Sequence, residues 1–184
     1  WFDEYYHDLT HLPVAQRAAV NFDHPISLDE LLLLDHLDGL LAGQPVDVPI
    51  YDFASHTRTG STRRVEPRPV VVVDGILVLA VPELRRRLDL AVFVDASTEI
   101  RLARRMERDV RERGRTTSSV RDQFAATVAP MHETFVEPSA VHADLRLDGT
   151  GDLASNLETL VDAVIRLRPD QRADLGPEVG TPRP

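Results

Sequence analysis

Two apolar runs, Pro69-Val70-Val71-Val72-Val73-Asp74 and Leu90-Ala91-Val92-Phe93-Val94-Asp95, constrain this chain more than anything else in it. Each is too continuous for a strand with one wet face, which would alternate, and too short for a helix, so each is expected to be a strand buried on both faces. Strands of that kind belong to parallel sheets covered by helices, and helical segments lie between and after them. A short one spans Val81 to Leu88, a longer one Ser97 to about Arg113, and a third Val120 through Phe135, which Pro130 is expected to bend or break. Ala143 to Leu147 reads as a weaker strand and Asp152 to Leu167 as a strongly amphipathic last helix. The expected fold class is α/β.

Upstream of these runs, Ser27 followed three residues later by Glu30 has the form of a capping box, so a leucine-rich helix is expected to start there and to end at Gly43. That makes Asn21 to Pro25 a shaped turn before a helix. Val46 to Tyr51 alternates apolar and polar residues, and Arg58 to Val65 is placed to return beside it as a hairpin, with Gly60-Ser61 as the turn. Residues 1–167 are expected to form one α/β domain, and the Pro- and Gly-rich stretch 168–184 a disordered tail.

Composition excludes several chemistries. All 21 basic residues are arginine, so no lysine in these 184 residues can form a Schiff base or hold a nucleotide's phosphates. With no cysteine there is no disulfide, thiolate nucleophile or Cys-based metal site, which fits a reducing compartment. A net charge of −9 speaks against a nucleic-acid partner, whose binding rests largely on cationic neutralisation of phosphates. The chain has no apolar run long enough to cross a membrane as a helix.

Three constellations could carry chemistry, and each has a plainer explanation. Asp74 closes the four-valine run, where open α/β sheets bind ligands and where an acid can orient Mg²⁺; it could equally be an ordinary strand-ending residue before Gly75. Arg101, Arg104, Arg105, Arg108 and Arg111 share one face of the helix from Ser97 and could clamp phosphates. They could as well be a solvated face paired with Glu107, Asp109 and Glu112, and a chain without lysine gives the choice of arginine no special meaning. Asp3, His7 and His11 have the spacing of metal ligands, but Tyr5, Tyr6 and Pro13 argue against a helix there and no fourth ligand is evident.

In order along the chain, Asp3-x-Tyr5-Tyr6, Asn21-Phe22-Asp23-His24-Pro25, Tyr51-Asp52-Phe53-x-x-His56-x-Arg58, Asp74-Gly75-Ile76-Leu77 and the segment from Arg101 through Arg115 to Gln123 resemble the uridine kinase (uridine–cytidine kinase) family of P-loop kinases. The resemblance runs from the first residue to about Asp144. It implies a P-loop kinase-like parallel sheet flanked by helices, a small β-hairpin over a nucleoside site and a helical lid. Asp3 matches the family's catalytic aspartate, which accepts the proton of a nucleoside 5′-hydroxyl. Tyr6, Phe22, Asp23, Tyr51, His56, Arg105, Arg115 and Gln123 match nucleoside-pocket positions, Arg108 and Arg113 the lid arginines on the ATP side, and Asp152 a position near the adenine. By the same resemblance Arg101 and Arg104 become the solvated members of the stripe. Asp74, where the family commonly has glutamate, is the expected metal residue.

The resemblance further implies ATP as co-substrate with Mg²⁺, small-molecule partners, a homo-oligomer and a cytoplasmic enzyme of pyrimidine salvage. The family places a strand, a G-x-x-x-x-G-K-[ST] loop and a helix ahead of the position matching Asp3, and that segment is expected upstream of Trp1. Two alternatives stay open at this point. One is a non-catalytic nucleoside-binding pseudo-kinase; the other is a related kinase with a different acceptor, such as pantothenate or a sugar phosphate, against which His56 and the Asn21–Pro25 turn speak.

Overall fold

The structure, a computed structural model, describes residues 1–17 and 19–167. The described residues divide into two compact units: one within residues 1–87 with 97–142, the other of residues 88–96 with 143–167. The expected tail, 168–184, lies outside the described residues.

In the first unit a 3-10 turn, Phe2–Tyr5, leads into a loop and then the turn around Pro25–Ser27. Helix α1 follows at Glu30–Leu41. Its N-cap is Asp29, whose carboxylate accepts from the Leu32 amide at 3.2 Å, and not Ser27 as the sequence suggested. The Ser27 hydroxyl instead donates inward to the carbonyls of His24 (2.7 Å) and Phe22 (3.1 Å), so it clasps the preceding turn and is not free to cap. The helix ends at Ala42, one residue before Gly43, which takes the left-handed conformation at φ 76°.

Strands β1 (Val46–Asp52) and β2 (Thr57–Val65) form the antiparallel hairpin, but its tip is Phe53–His56. Gly60, at φ 81°, lies inside β2 where the register shifts between Pro49 and Tyr51. The glycine signal therefore marked a bulge, which kinks and twists the ribbon, and not the turn. His56 itself holds φ 54°, rare for a residue with a Cβ, and this sets the ring at the hairpin tip.

The valine run corrects a second expectation. Residues 71–75 form no regular strand, and among the described residues no neighbour takes up their amides and carbonyls as a ladder. Val70 and Val72 are exposed. An apolar run becomes a strand only when another strand pairs with it, and sequence pattern alone cannot supply the partner. Its end is nonetheless fixed: the Phe2 amide donates to the Asp74 carbonyl at 2.9 Å, and Phe2, 2% exposed, packs on Gly75. The expected helix over 81–88 contracts to one turn, Pro82–Arg85.

Helix α2, Thr98–Arg113, is capped by Ser97 and stopped by Gly114 at φ 61°. Helix α3, Thr117–Gln123, then continues as an unbroken helical backbone to Ser139. Pro130 does not break it. The Ala129 amide reaches back five residues to Phe124, and the Glu137 amide likewise to His132, so a π turn widens the helix just ahead of Pro130 and again just ahead of Pro138. Each widening makes room for a ring that would otherwise meet the carbonyl four residues earlier. The core of this unit gathers Phe2, Leu34, Leu37, Leu77, Leu84, Val120 and Phe124.

The second unit holds a parallel pair, β3 (Val92–Asp95) and β4 (Leu145–Asp148), in the register Val92 to Leu145 through Asp95 to Asp148. Asp144 anchors the start of the pair, with its carboxylate accepting from the Ala91 amide at 2.8 Å. Helix α4, Leu153–Leu167, closes the described chain. The fold class is α/β, as expected.

Because a Cβ on Gly75 would sit 2.3 Å from the Phe2 Cβ, Gly75→Ala must displace a fully packed ring. Overpacking of this kind costs about 1–3 kcal/mol. Urea unfolding should register that loss, and an unchanged midpoint would contradict the packing described.

Candidate active site

The first unit brings the sequence-nominated residues together from four segments. The 3-10 turn and the residue after it carry Asp3 and Tyr6, the clasped turn Phe22 and Asp23, the end of β1 and the hairpin tip Tyr51 and His56, and α2, the turn after it and the end of α3 the arginines and Gln123.

Aromatic rings make one wall. Tyr6 lies 5.1 Å from Phe22 and 5.3 Å from Tyr51 between ring centroids, and Phe22 stacks nearly parallel on His56 at 5.5 Å and 14°. Such rings offer a planar ligand both faces and edges. The Tyr51 hydroxyl is buried with no hydrogen-bond partner, and burial pushes its proton affinity up to about 12. A buried hydroxyl left unpaired is costly, so it marks a place where a ligand atom can complete the site. Burial also lowers the His56 pKa, and the Arg113 charge lowers it further, which keeps the ring neutral and able both to donate and to accept.

Opposite in charge, four guanidinium groups converge on Asp109, which is 0% exposed. Arg108 donates to its Oδ1 through Nε at 2.9 Å and Nη2 at 2.8 Å. Arg113 lies 3.6 Å from Oδ1, Arg115 3.3 Å and Arg105 3.8 Å from Oδ2. Burial alone would raise the Asp109 pKa, but the hydrogen bonds and charge of Arg108, with Arg113 and Arg105, outweigh it and hold the carboxyl below its ordinary value. Arg105 also faces Asp23 at 4.0 Å, and both Arg105 and Arg115 donate to Gln123 Oε1. The α2 stripe thus splits. Arg105 and Arg108 turn inward, Arg111 pairs outward with Glu107 and Glu112, and Arg101, expected to be solvated, is half-buried and donates to Thr98.

Asp3 sits where these groups meet. The residue as a whole is exposed, yet its carboxyl is crowded enough that partial desolvation, then the Asp74 carboxylate, raise its pKa; Arg108 and Arg113 pull the other way and Asp23 adds to the rise. Asp3 and Asp74 are brought near each other by the Phe2–Asp74 backbone bond. Asp152 belongs to the second unit, where its carboxylate caps α4 by accepting from the Ser155 amide at 2.8 Å and hydroxyl at 3.0 Å. The Asp3, His7, His11 triplet forms no metal cage: among the described residues no three His, Asp or Glu side chains gather as one.

Two residues were given no role in the site by the sequence. Asp109, read there only as a partner on a solvated face, is fully buried, and its role could have been found, since it stands four residues after Arg105 and four before Arg113, on one helical face with both. Phe53, whose ring lies 5.3 Å under the Arg113 guanidinium, gave no such signal, because its contact depends on the hairpin tip.

Residues 2–154 match the family model of the Phosphoribulokinase / Uridine kinase family. A uridine kinase of Chloroflexus aurantiacus is 52% identical over 149 residues, covering 81% of this chain and 71% of that protein. A uridine kinase of Geobacillus kaustophilus is 43% identical over 173 residues, 94% of this chain and 82% of the relative. Among solved structures, one from Silicibacter sp. TM1040 described as a fructose transport system kinase superposes with a TM-score of 0.60 at 16% identity, over 79% of this chain and 71% of that one. At that identity it speaks to the fold alone. The chain belongs to the Phosphoribulokinase / Uridine kinase family.

Gly114 has open space around its Cα but a left-handed φ of 61°, and its turn is what folds Arg115 back onto Asp109. Gly114→Ala should therefore cost about 1 kcal/mol through backbone strain alone. A fall of several degrees in melting temperature would report it; no change would mean that the turn is not held as described.

Proposed function

We propose that this protein is a kinase that transfers the γ-phosphoryl group of ATP to the 5′-hydroxyl of uridine, and of cytidine, in pyrimidine salvage. The observation that carries the reading is the position of Asp3, a carboxylate within electrostatic reach of Asp23 on the aromatic side and of Arg108 and Arg113 on the cationic side. Family membership supports it. A cytoplasmic homo-oligomer is part of the same reading.

In this proposal the base lies among Tyr6, Phe22, Tyr51 and His56, with the Tyr51 hydroxyl and the neutral His56 ring as hydrogen-bonding groups for its edge. Asp23 and Arg105, already facing each other, hold the ribose hydroxyls, with Arg115 and Gln123 behind them. Asp3 then accepts the 5′-hydroxyl proton as that oxygen bonds to the γ-phosphorus and the bond to the bridging oxygen of ADP breaks. Its raised proton affinity suits a base better than an ordinary surface carboxylate. Arg108 and Arg113 face the charge that develops on the phosphoryl oxygens. Asp74, with Asp3 beside it, offers hard carboxylate oxygens of the kind that hold Mg²⁺ together with water and phosphate; the ion, when bound, offsets phosphate charge. For Asp152 the proposal keeps a place near the adenine.

Asp3→Asn in the full-length protein should lower kcat by about 10²–10⁴-fold, the usual contribution of a general base, while uridine binding by calorimetry stays within a few-fold. Wild-type kcat should fall as pH drops through the raised Asp3 pKa. Ionised Asp3 opposes folding where its pKa is raised, a cost that is absent below the ordinary carboxylate pKa and present above the folded one, so the asparagine variant should melt no lower than wild type at pH 7. Full activity in that variant would remove Asp3 from the mechanism.

His56→Ala should raise the KM for uridine by about tenfold, as an unpaired ligand edge implies, and leave the KM for ATP nearly unchanged. Should the preference for uridine over pantothenate and ribose phosphates survive that change, the pocket assignment is wrong.

A further inference from the structure

Arginines with different tasks in the proposed reaction share one counter-ion. Arg105 and Arg115 reach toward Asp23 and Gln123, on the nucleoside side; Arg108 and Arg113 face Asp3 and the phosphates. All four end on the two oxygens of Asp109. Oδ1 takes Arg108 and Arg113, and Oδ2 takes Arg105 and Arg115, so the phosphate pair and the nucleoside pair occupy different oxygens of a single planar group.

Like charges at these separations repel, and without a carboxylate among them the guanidinium groups would splay into solvent. One negative charge cannot neutralise four positive ones. With Asp23, which faces Arg105, and Asp3, within electrostatic reach of Arg108 and Arg113, counted as well, a surplus of one positive charge remains, which favours an anionic ligand. Asp109 can hardly meet substrate itself: it is fully buried, and its backbone carbonyl is occupied by the Gly114 and Arg115 amides.

We infer that Asp109 is a positioning residue that holds the nucleoside-side and phosphate-side arginines in one rigid constellation, so that binding at either half preorganises the other. This rests on the nucleoside kinase reading for the names of the two halves, but not for the constellation itself. A guanidinium displaced by about 1 Å can cost on the order of 100-fold in rate. Asp109→Asn keeps the shape and the acceptor facing Arg108, yet removes the charge and turns an N–H₂ toward Arg105 and Arg115.

The test uses the full-length protein, with dissociation constants for ATP and for uridine, each alone and in the presence of the other ligand, beside kcat, KM and melting temperature. Wild type should bind uridine several-fold more tightly when a non-hydrolysable ATP analogue is present. In Asp109→Asn that enhancement should vanish, both dissociation constants should rise about tenfold, and kcat should fall about 100-fold. A purely structural role would lower the melting temperature and leave the ligand coupling intact, which would overturn the inference. If the variant does not fold, the half-exposed pair Arg105→Gln and Arg108→Gln decides. Acting through a shared Asp109, their losses should be strongly non-additive, whereas losses that simply multiply would contradict it. If wild type failed to phosphorylate any nucleoside, the kinase reading would fall, while ATP binding to Asp109→Asn and to the two arginine variants would still decide the role of Asp109.

Discussion

The site is organised by a charge buried where charges are rarely buried. Asp109 carries no solvent exposure and faces four guanidinium groups, so its desolvation is offset only because all of them converge. That requirement explains local features that otherwise look unrelated. Helix α2 must run far enough to place Arg105 and Arg113 one turn to either side, Gly114 must turn the backbone left-handed so that Arg115 returns, and Gln123 at the end of α3 must accept from the arginines that Asp109 has gathered. Sequence spacing, capping chemistry and side-chain electrostatics meet at one carboxylate.

A second constraint sets the other acid pair. The Phe2 amide and ring fasten the start of the chain to Asp74 and Gly75, which leaves Asp3 near Asp74 and raises its proton affinity. The same region closes on the hairpin through small polar links: the Leu9 amide and the Asp8 carboxylate both bond the Thr57 hydroxyl, and Arg58 pairs with Asp29. These links hold the turn carrying Asp3 and Tyr6 against the strand ends that carry Tyr51 and His56. The acid and the aromatic wall are therefore fixed relative to each other by backbone and hydroxyl contacts, independently of the arginine cluster.

Local features were legible in the sequence where local chemistry decides them. The helix from Ser97 to about Arg113 came from a periodicity whose physics is complete within the segment, and the two strands that became β3 and β4 were legible because each found the other as a partner. Ser27, Gly60 and the valine run show the opposite. Ser27 had the spacing of a cap, but its hydroxyl found nearer carbonyls; Gly60 had the look of a turn, but the register needed it for a bulge; and Val70–Val73 lacks a pairing strand among the described residues. For Gly60 and the valine run a partner strand, which no local window contains, settled the outcome; for Ser27 a competing local hydrogen bond did. Site residues were nominated by resemblance and not by periodicity. What the structure adds is their mutual geometry, including Asp109, which spacing allowed and composition obscured because an all-arginine chain makes every basic stripe look alike.

The central claim is that one carboxylate, Asp3, receives the proton of a nucleoside 5′-hydroxyl while the flanking arginines steady the group being transferred. Phosphorus NMR of the full-length protein with uridine, ATP and Mg²⁺ tests it most directly. The account predicts that uridine 5′-phosphate and ADP appear in equal amounts, with little free phosphate. Release of inorganic phosphate without nucleotide product, or phosphate appearing on the 2′- or 3′-oxygen, would contradict it.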